Sequence, residues 1–394
     1  MIKKIDVSDL RSGMYVHDLN RDWIDHPFLR NRFLVESQND IDGIVALGVG
    51  HVYIDTELGE DVQAAQKSKD ELHEIGRTLQ RIAPRVPVQE EIHQARHIVK
   101  EANILVHDIL QDCRLGKQVE LEKAQPIVTA ITESIFRNPD AIVSLLRIKQ
   151  ADKYTYQHSV AVGTLLISFC SALGIDRNDI ELAGIGGLLH DIGKMKIPGY
   201  ILNKPGRLSE MEFVMIKKHV NEGRLILENT LGISPISVSI AAEHHEHFDG
   251  SGYPLGLKGD EISRYGQMAA IVDVYDALTS NRIYHAGSEP TAVLKQLLDG
   301  CGRHFATPLV HSFIRTVGIY PVGALVKLEN DDLAVVVEQH HEDLLHPRVK
   351  SIFNCRLRSF IHPRDYDLSK PSCHQRIIGY ETPARWKIEP YAYL

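Results

Sequence analysis

Two adjacent histidines, His244 and His245, open the run HHEHFDGSGYP, and a second run, LLHDIGK, sets His190 beside Asp191. Histidine and aspartate are costly to bury in apolar helical segments, and a divalent cation that gathers their lone pairs removes much of that cost. The chemistry such a group supports is metal-assisted hydrolysis of a phosphate ester. Three more positions extend the set: His158 in YTYQHSVAVGTLLISF, His219 in EFVMIKKHVNEGRLIL and Asp273 in MAAIVDVYDALTS. Each stretch reads as a helix with an apolar side. Seven imidazoles and carboxylates therefore fall on five helices. One histidine on such a helix is ordinarily a satisfied core residue, and one aspartate ordinarily caps or pairs with an arginine. Five helices each carrying a ligand type at a buried margin would leave many polar groups unpaired, and a shared metal cluster satisfies them together.

The donor types narrow the metal. Imidazole and carboxylate without thiolate suit Fe, Mn, Zn or Ni. Calcium would want oxygen throughout, and seven ligands exceed what one tetrahedral zinc needs. Two ions bridged by one carboxylate use them economically. A pair roughly 3.5–4 Å apart can activate a bridging water and clamp both oxygens of an in-line displacement.

The elements that must position these groups are helices joined by short loops. Four segments emerge: a small α+β domain at 1–64, a helical linker region at 65–136, the metal-dependent helical domain at 137–320 and a β-rich extension at 321–394. In the first, IKKIDV, GMYVHDL, RFLVES and HVYIDTE read as strands, with NDIDGIVALG as one short helix. Trp23, His26 and Phe28 there read as core or turn packing, with a surface feature as the alternative. Two prolines in APRVPV mark a break before a helical pattern from Gln89 to about Phe136. Its histidines His93 and His97 have the i, i+4 spacing that can bind a metal, but no acidic or cysteine residue completes a ligand set with them or with His107, and they read as a solvated face. In the last segment GALVKL, LAVVVEQ, RVKSIFN and RIIGYE alternate like strands, with a turn at Asn330-Asp331-Asp332.

Length and composition bound the class. The 394 residues are 43% hydrophobic and 24% charged, as in a globular protein with a sizeable core. A net charge of -8 lacks the basic excess that a nucleic acid polymer demands, but leaves room for one small anionic ligand. MIKKIDVSDL has no apolar stretch of signal-peptide type, and no run approaches membrane-spanning length. Five scattered cysteines form no CxxC pair. A reduced, cytoplasmic setting is expected.

From about residue 150 to 320 the chain resembles the HD-GYP family of cyclic di-GMP phosphodiesterases. The stretches that carry the resemblance are YTYQHS, LLHDIGK, ILNKPGRLSEMEFVMIKKHVNEG, AAEHHEHFDGSGYP, ISRYGQMAAIVDVYDALTSNR and IY. The order HD, HHE, GYP is specific. The first sixty residues resemble a small domain that recurs in front of HD-GYP modules. The expected fold is mainly α: an HD-type helical bundle, with a small α+β N-terminal domain and a short β extension at the C-terminus.

The resemblance implies His158, His190, Asp191, His219, His244, His245 and Asp273 as metal ligands, with Asp191 as the bridging carboxylate. It implies that Lys194 touches a phosphate oxygen or assists proton transfer; the alternative is a solvent-facing helix residue. Members with three metals carry an acidic residue one helical turn before the first histidine. Here Tyr154 stands there, and a phenol of pKa about 10 is a poor ligand. Two ions are therefore expected, iron or manganese. The turn formers Asp249-Gly250-Ser251-Gly252 make the GYP run a loop, in which Gly252, Tyr253 and Pro254 shape a pocket wall. Tyr253 either stacks on a guanine or packs internally. Arg282 grips a substrate phosphate or pairs with Asp276. This chain departs from the family at His247 and His285, where basic side chains are usual, and neutral imidazoles there weaken the phosphate grip or make it pH-sensitive.

The implied reaction is hydrolysis of cyclic di-GMP to linear pGpG, and on to GMP after a second cut, which lowers a bacterial second messenger. One alternative is an HD-type phosphohydrolase of another nucleotide. The other is a non-hydrolysing cyclic di-GMP receptor whose GYP loop docks partners such as GGDEF-type signalling proteins. The intact ligand set favours turnover.

Overall fold

The computed structural model describes residues 2–18, 33–35, 37–46, 51–59, 84–146, 154–202, 204, 206, 208–280, 287–340 and 343–394. Trp23, His26, Phe28, Arg282 and His285 lie outside the described residues, as does the side chain of Tyr154. The chain divides into two compact units, Met1–Glu74 and Ile75–Leu394.

The first unit contains strands β1 (Ile2–Asp6), β2 (Tyr15–Asp18), β3 (Phe33–Leu34) and β4 (His51–Asp55), with helix α1 (Gln38–Ala46). The strands form one antiparallel sheet in the order β1-β4-β2-β3. Alternation puts Val52 and Ile54 inside. Ile41 and Ile44, three apart on α1, join them with Leu10, Met14 and Val16 in a single core.

The second unit begins with α2 (Val88–Arg114), α3 (Leu121–Arg137) and α4 (Pro139–Leu145). The helical stretch read from Gln89 to Phe136 is thus two helices. It breaks where Gly116 adopts φ +83°, the left-handed conformation that ends helices. His93 and His97 are exposed on α2, and His97 lies 3.4 Å from Glu101. His107 lies 3.1 Å from Asp108.

Next come α5 (Tyr154–Ala172), α6 (Arg177–Leu189), α7 (Gly199–Leu202), α8 (Glu210–Glu228), α9 (Pro235–Glu243), α10 (Arg264–Thr279), α11 (Pro290–Asp299) and α12 (Thr307–Val317). Small residues set the α5–α6 crossing. A Cβ on Gly187 would stand 2.7 Å from Gly163 Cα, and one on Gly163 would stand 2.9 Å from Leu188 Cδ2. Helix α8 starts at a capping box, in which Ser209 accepts from Glu212 N while the Glu212 carboxylate accepts from Ser209 N.

The chain closes in five strands, β5 (Leu325–Leu328), β6 (Asp332–Glu338), β7 (Arg348–Asn354), β8 (Ser359–Asp367) and β9 (Ile377–Tyr380), antiparallel in the order β8-β7-β6-β5-β9. Central β6 is buried on both faces: Ala334 and Val336 pack with Val326 and Val349, while Leu333 and Val335 pack with Ile352 and Phe353. The turn before it contains Asp331 at φ 65°. Strand β8 was not expected, because SFIHPRDYD carries Pro363 and no clean alternation. It lies at the sheet edge with most side chains exposed, where a proline N–H is not required for the ladder. No helix among the described residues is long and apolar enough to cross a membrane.

The close α5–α6 approach predicts that Gly187→Val forces the two helices apart. Thermal unfolding should show a loss of about 1–3 kcal/mol. An unchanged midpoint would mean that the crossing tolerates side chains.

Candidate metal centre

Each expected ligand sits where its helix meets the middle of the bundle. His158 lies in the first turns of α5, His219 in the middle of α8 and Asp273 in α10. His244 and His245 directly follow the last residue of α9. His190 and Asp191 differ from expectation, since α6 ends at Leu189 and both residues lie just past its end. Lys194 follows in a 3-10 turn, Ile192–Lys196, instead of a continued α-helix. The cause is a backbone contact: a Cβ on Gly193 would collide with the carbonyl oxygen of His219, so the turn presses directly onto α8.

The structure brings all seven groups together. His158, His190, Asp191, His219, His244 and Asp273 are buried, and His245 is half-buried. The ligand atoms of His158, His190 and Asp273 lie within 4.8 Å of one another, as do those of His219, His244 and His245. Asp191 stands between the two groups. Its Oδ2 is 3.7 Å from His158 Nε2 and 3.2 Å from His190 Nε2, and its Oδ1 is 3.3 Å from His219 Nε2 and 3.9 Å from His244 Nε2. His158 Nε2 is also 3.0 Å from Asp273 Oδ1.

Four rings are aimed by their other nitrogen. His190 Nδ1 is 2.8 Å from Gly187 O, His219 Nδ1 is 2.7 Å from Ile216 O, and His244 Nδ1 is 3.1 Å from both Ile240 O and Ala241 O. A carbonyl can only accept, so each Nδ1 carries the proton and each Nε2 presents a lone pair. His158 Nδ1 is 2.7 Å from Asp276 Oδ2. The Nε2 atoms of His190, His219 and His244 and Oδ1 of Asp191 are buried without a hydrogen-bond partner. The centre is thus lined by acceptors facing one another, which a cation reconciles and a proton network does not.

The electrostatics agree with the geometry. Burial holds His244 well below the usual imidazole range, lowers His219 and pushes His245 down to about 4. Burial disfavours a charge on Asp191 too, yet Lys194, His190 and His219 outweigh it and keep the carboxyl well below its ordinary range. Neutral imidazole and ionised carboxylate are the protonation states that bind metal. His158 differs: burial opposes its charging, but the carboxylates of Asp273 and Asp276 prevail and raise it. Two carboxylates that favour a positive ring also favour a cation beside it.

The remaining expected residues fall around this centre. Lys194 Nζ donates to Asp191 Oδ2 at 2.5 Å and is 24% exposed. Tyr253 stacks on His245 with centroids 4.7 Å apart and planes at 28°. In the same loop Ser251 N donates to Asp249 Oδ1 at 2.9 Å, and Gly250 takes φ +86°. His247 stacks on His304 at 4.2 Å and bonds Ser251 Oγ at 2.9 Å. A cavity of about 250 Å³ beside His244 and His245 is lined further by His247, Val274, Leu278 and His304.

Sequence reading missed two groups. Asp276, considered only as a partner for Arg282, which lies outside the described residues, orients His158 through the contact of its Oδ2 with Nδ1; its position three residues after Asp273, on the same helix face, was the available signal. Glu246 accepts from Leu255 N at 2.7 Å and Leu257 N at 3.0 Å and so ties down the GYP loop. No local pattern marks a carboxylate whose partners are backbone amides nine and eleven residues on.

Comparison with known proteins adds to this picture. Residues 143–307 match the HD domain family, and residues 2–124 match a domain of unknown function, DUF3391. The chain is 39% identical, over 98% of its length and 94% of the relative's, to the cyclic di-GMP phosphodiesterase PA4108 of Pseudomonas aeruginosa. A cyclic di-GMP phosphodiesterase of Thermotoga maritima is 33% identical over 42% of this chain and 45% of its own length. The 3'3'-cGAMP-specific phosphodiesterase 1 of Vibrio cholerae is 37% identical over 38% of this chain and 35% of its own. Among solved structures, Bd1817, an HDG"Y"P protein from Bdellovibrio bacteriovorus, aligns over 79% of this chain and 97% of its own with a TM-score of 0.47 and 21% identity.

The bond from Asp276 predicts that Asp276→Asn lowers metal affinity about 10- to 100-fold, as loss of a ligand's orienting partner does. Titration with Mn²⁺ under calorimetry measures it. Unchanged affinity would show that His158 is aimed by something else.

Proposed function

This chain belongs to the HD-GYP family of cyclic di-GMP phosphodiesterases, and from that membership we propose that it hydrolyses cyclic di-GMP at the cluster around Asp191. The observation that supports the reading best is the set of partnerless buried atoms on His190, His219, His244 and Asp191. Each such atom costs about 1–3 kcal/mol when nothing binds it. His158, His190 and Asp273 would hold one ion and His219, His244 and His245 a second, with Asp191 placed to serve both. The absence of an acid at Tyr154 favours two ions over three, and the donor set suits iron or manganese. When bound, such ions lower the pKa of water and offset charge on phosphoryl oxygens.

The chain's own groups supply the rest. Asp276 and the carbonyls of Gly187, Ile216, Ile240 and Ala241 keep four imidazoles aimed inward. Lys194 holds a phosphate oxygen or carries a proton at Nζ. Arg282 grips a phosphate through its planar guanidinium. Gly252, Tyr253 and Pro254 form the substrate-facing wall, and the family resemblance makes His285 a further substrate contact. The catalytic domain is residues 137–320, preceded by an α+β domain at 1–64 and a helical linker region at 65–136 and followed by the β-rich extension at 321–394. The product is linear pGpG, and a second cut of that dinucleotide would give GMP.

Relatives named for 3'3'-cGAMP make the base the critical variable. The test is anaerobically purified protein with Mn²⁺ or Fe²⁺, incubated with cyclic di-GMP, 3'3'-cGAMP and linear nucleotides, and product chromatography. Cyclic di-GMP should be consumed fastest and give pGpG, and His190→Ala and Asp191→Ala should each abolish turnover. Preference for a linear nucleotide or for 3'3'-cGAMP would contradict the proposal. Binding of cyclic di-GMP without turnover would make the protein a receptor.

A further inference from the structure

We propose that Tyr253 is a positioning residue for His245, and that Lys217 keeps Tyr253 in place. The inference rests on the two-ion reading above. Four of the five imidazoles in the centre are fixed through Nδ1 by a carbonyl or a carboxylate. The His245 ring has no hydrogen-bond partner among the described residues. Its place is set by ring contacts instead: Tyr253 stacked at 4.7 Å and 28°, with His244 tilted at 4.2 Å and His219 edge-on at 5.2 Å. A stacked aromatic pair is favoured beyond the area it buries, so the face of Tyr253 restrains the ring it covers.

Tyr253 is itself restrained from several directions. Its N–H donates to His245 O at 3.1 Å, which closes the loop back onto the ligand it covers. The preceding Gly252 lies so close to the chain that a Cβ there would collide with the backbone nitrogen of His247. Lys217, two residues before the ligand His219, places its Nζ 4.7 Å from the Tyr253 ring centroid and 4.8 Å from that of Phe213. An ammonium over an aromatic ring is attracted to it. One end of this arrangement is thus a cation on α8 and the other a ligand at the end of α9.

The consequence is selective. Loosening His245 weakens the group formed with His219 and His244 and leaves His158, His190 and Asp273 untouched. The test uses the full chain, purified anaerobically, with Mn²⁺ titrated under calorimetry into wild type, Tyr253→Phe, Tyr253→Leu and Lys217→Met. Tyr253→Phe keeps the ring and should bind both ions as wild type does. Tyr253→Leu should weaken one of the two Mn²⁺ sites by about 10-fold or more, with the other unchanged, and Lys217→Met should weaken the same site by less. Affinity unchanged from wild type at both sites in Tyr253→Leu would overturn the proposal, as would a parallel loss at both sites or a loss in Tyr253→Phe as large as in Tyr253→Leu. If circular dichroism shows that Tyr253→Leu does not fold, Lys217→Met decides: one weakened site supports the proposal and two unchanged sites overturn it. A wild-type chain that takes up no Mn²⁺ would sink the metal reading itself, a result distinct from all of these.

Discussion

One buried carboxylate, that of Asp191, is shared between two groups of histidines, and the rest of the bundle is arranged to permit it. Its two oxygens face different imidazoles within 4 Å, and among the described residues Lys194 is the lysine or arginine that pairs with it. Lone pairs and negative charge converging in a dry interior repel one another. A fold can sustain that convergence when cations complete it. The bundle therefore stores, in its choice of buried residues, a requirement for something it does not encode.

The helices meet this requirement by close approach. Gly163 and Gly187 let α5 and α6 cross near enough for the rings of His158 and His190 to come within 5.2 Å of one another. Gly193 lets the turn after Asp191 press onto α8, which brings His219 Nε2 to 3.3 Å from Asp191 Oδ1. Carbonyls one turn upstream then fix the ring tautomers, at no cost in side chains. Glu246 ties the GYP loop at two backbone amides, and the loop's aromatic ring stacks on His245.

Much of this was legible in the sequence. The candidate ligands stood out because a single histidine or aspartate on an apolar helix is ordinary, whereas five such helices in succession would bury more unpaired polar groups than a core tolerates. The four N-terminal strands and four of the five C-terminal ones followed from alternation. What escaped notice did so for physical reasons. Strand β8 is an exposed edge with a proline, so neither burial nor alternation marks it. The break at Gly116 interrupts a pattern whose apolar spacing resumes a few residues on, and a lone glycine in a helical run is a weak signal. The end of α6 before His190 is set by contact with α8, which no local pattern records. The contact of Asp276 with His158 was not read from the sequence because it joins two helices far apart in the chain, a property of three-dimensional neighbours.

The converging donors make sense together only if they hold metal. Elemental analysis of the anaerobically purified chain, with protein concentration measured independently, tests this most directly. Two ions of iron or manganese per chain is the result the arrangement around Asp191 predicts. A folded, catalytically active preparation with no bound metal would contradict it.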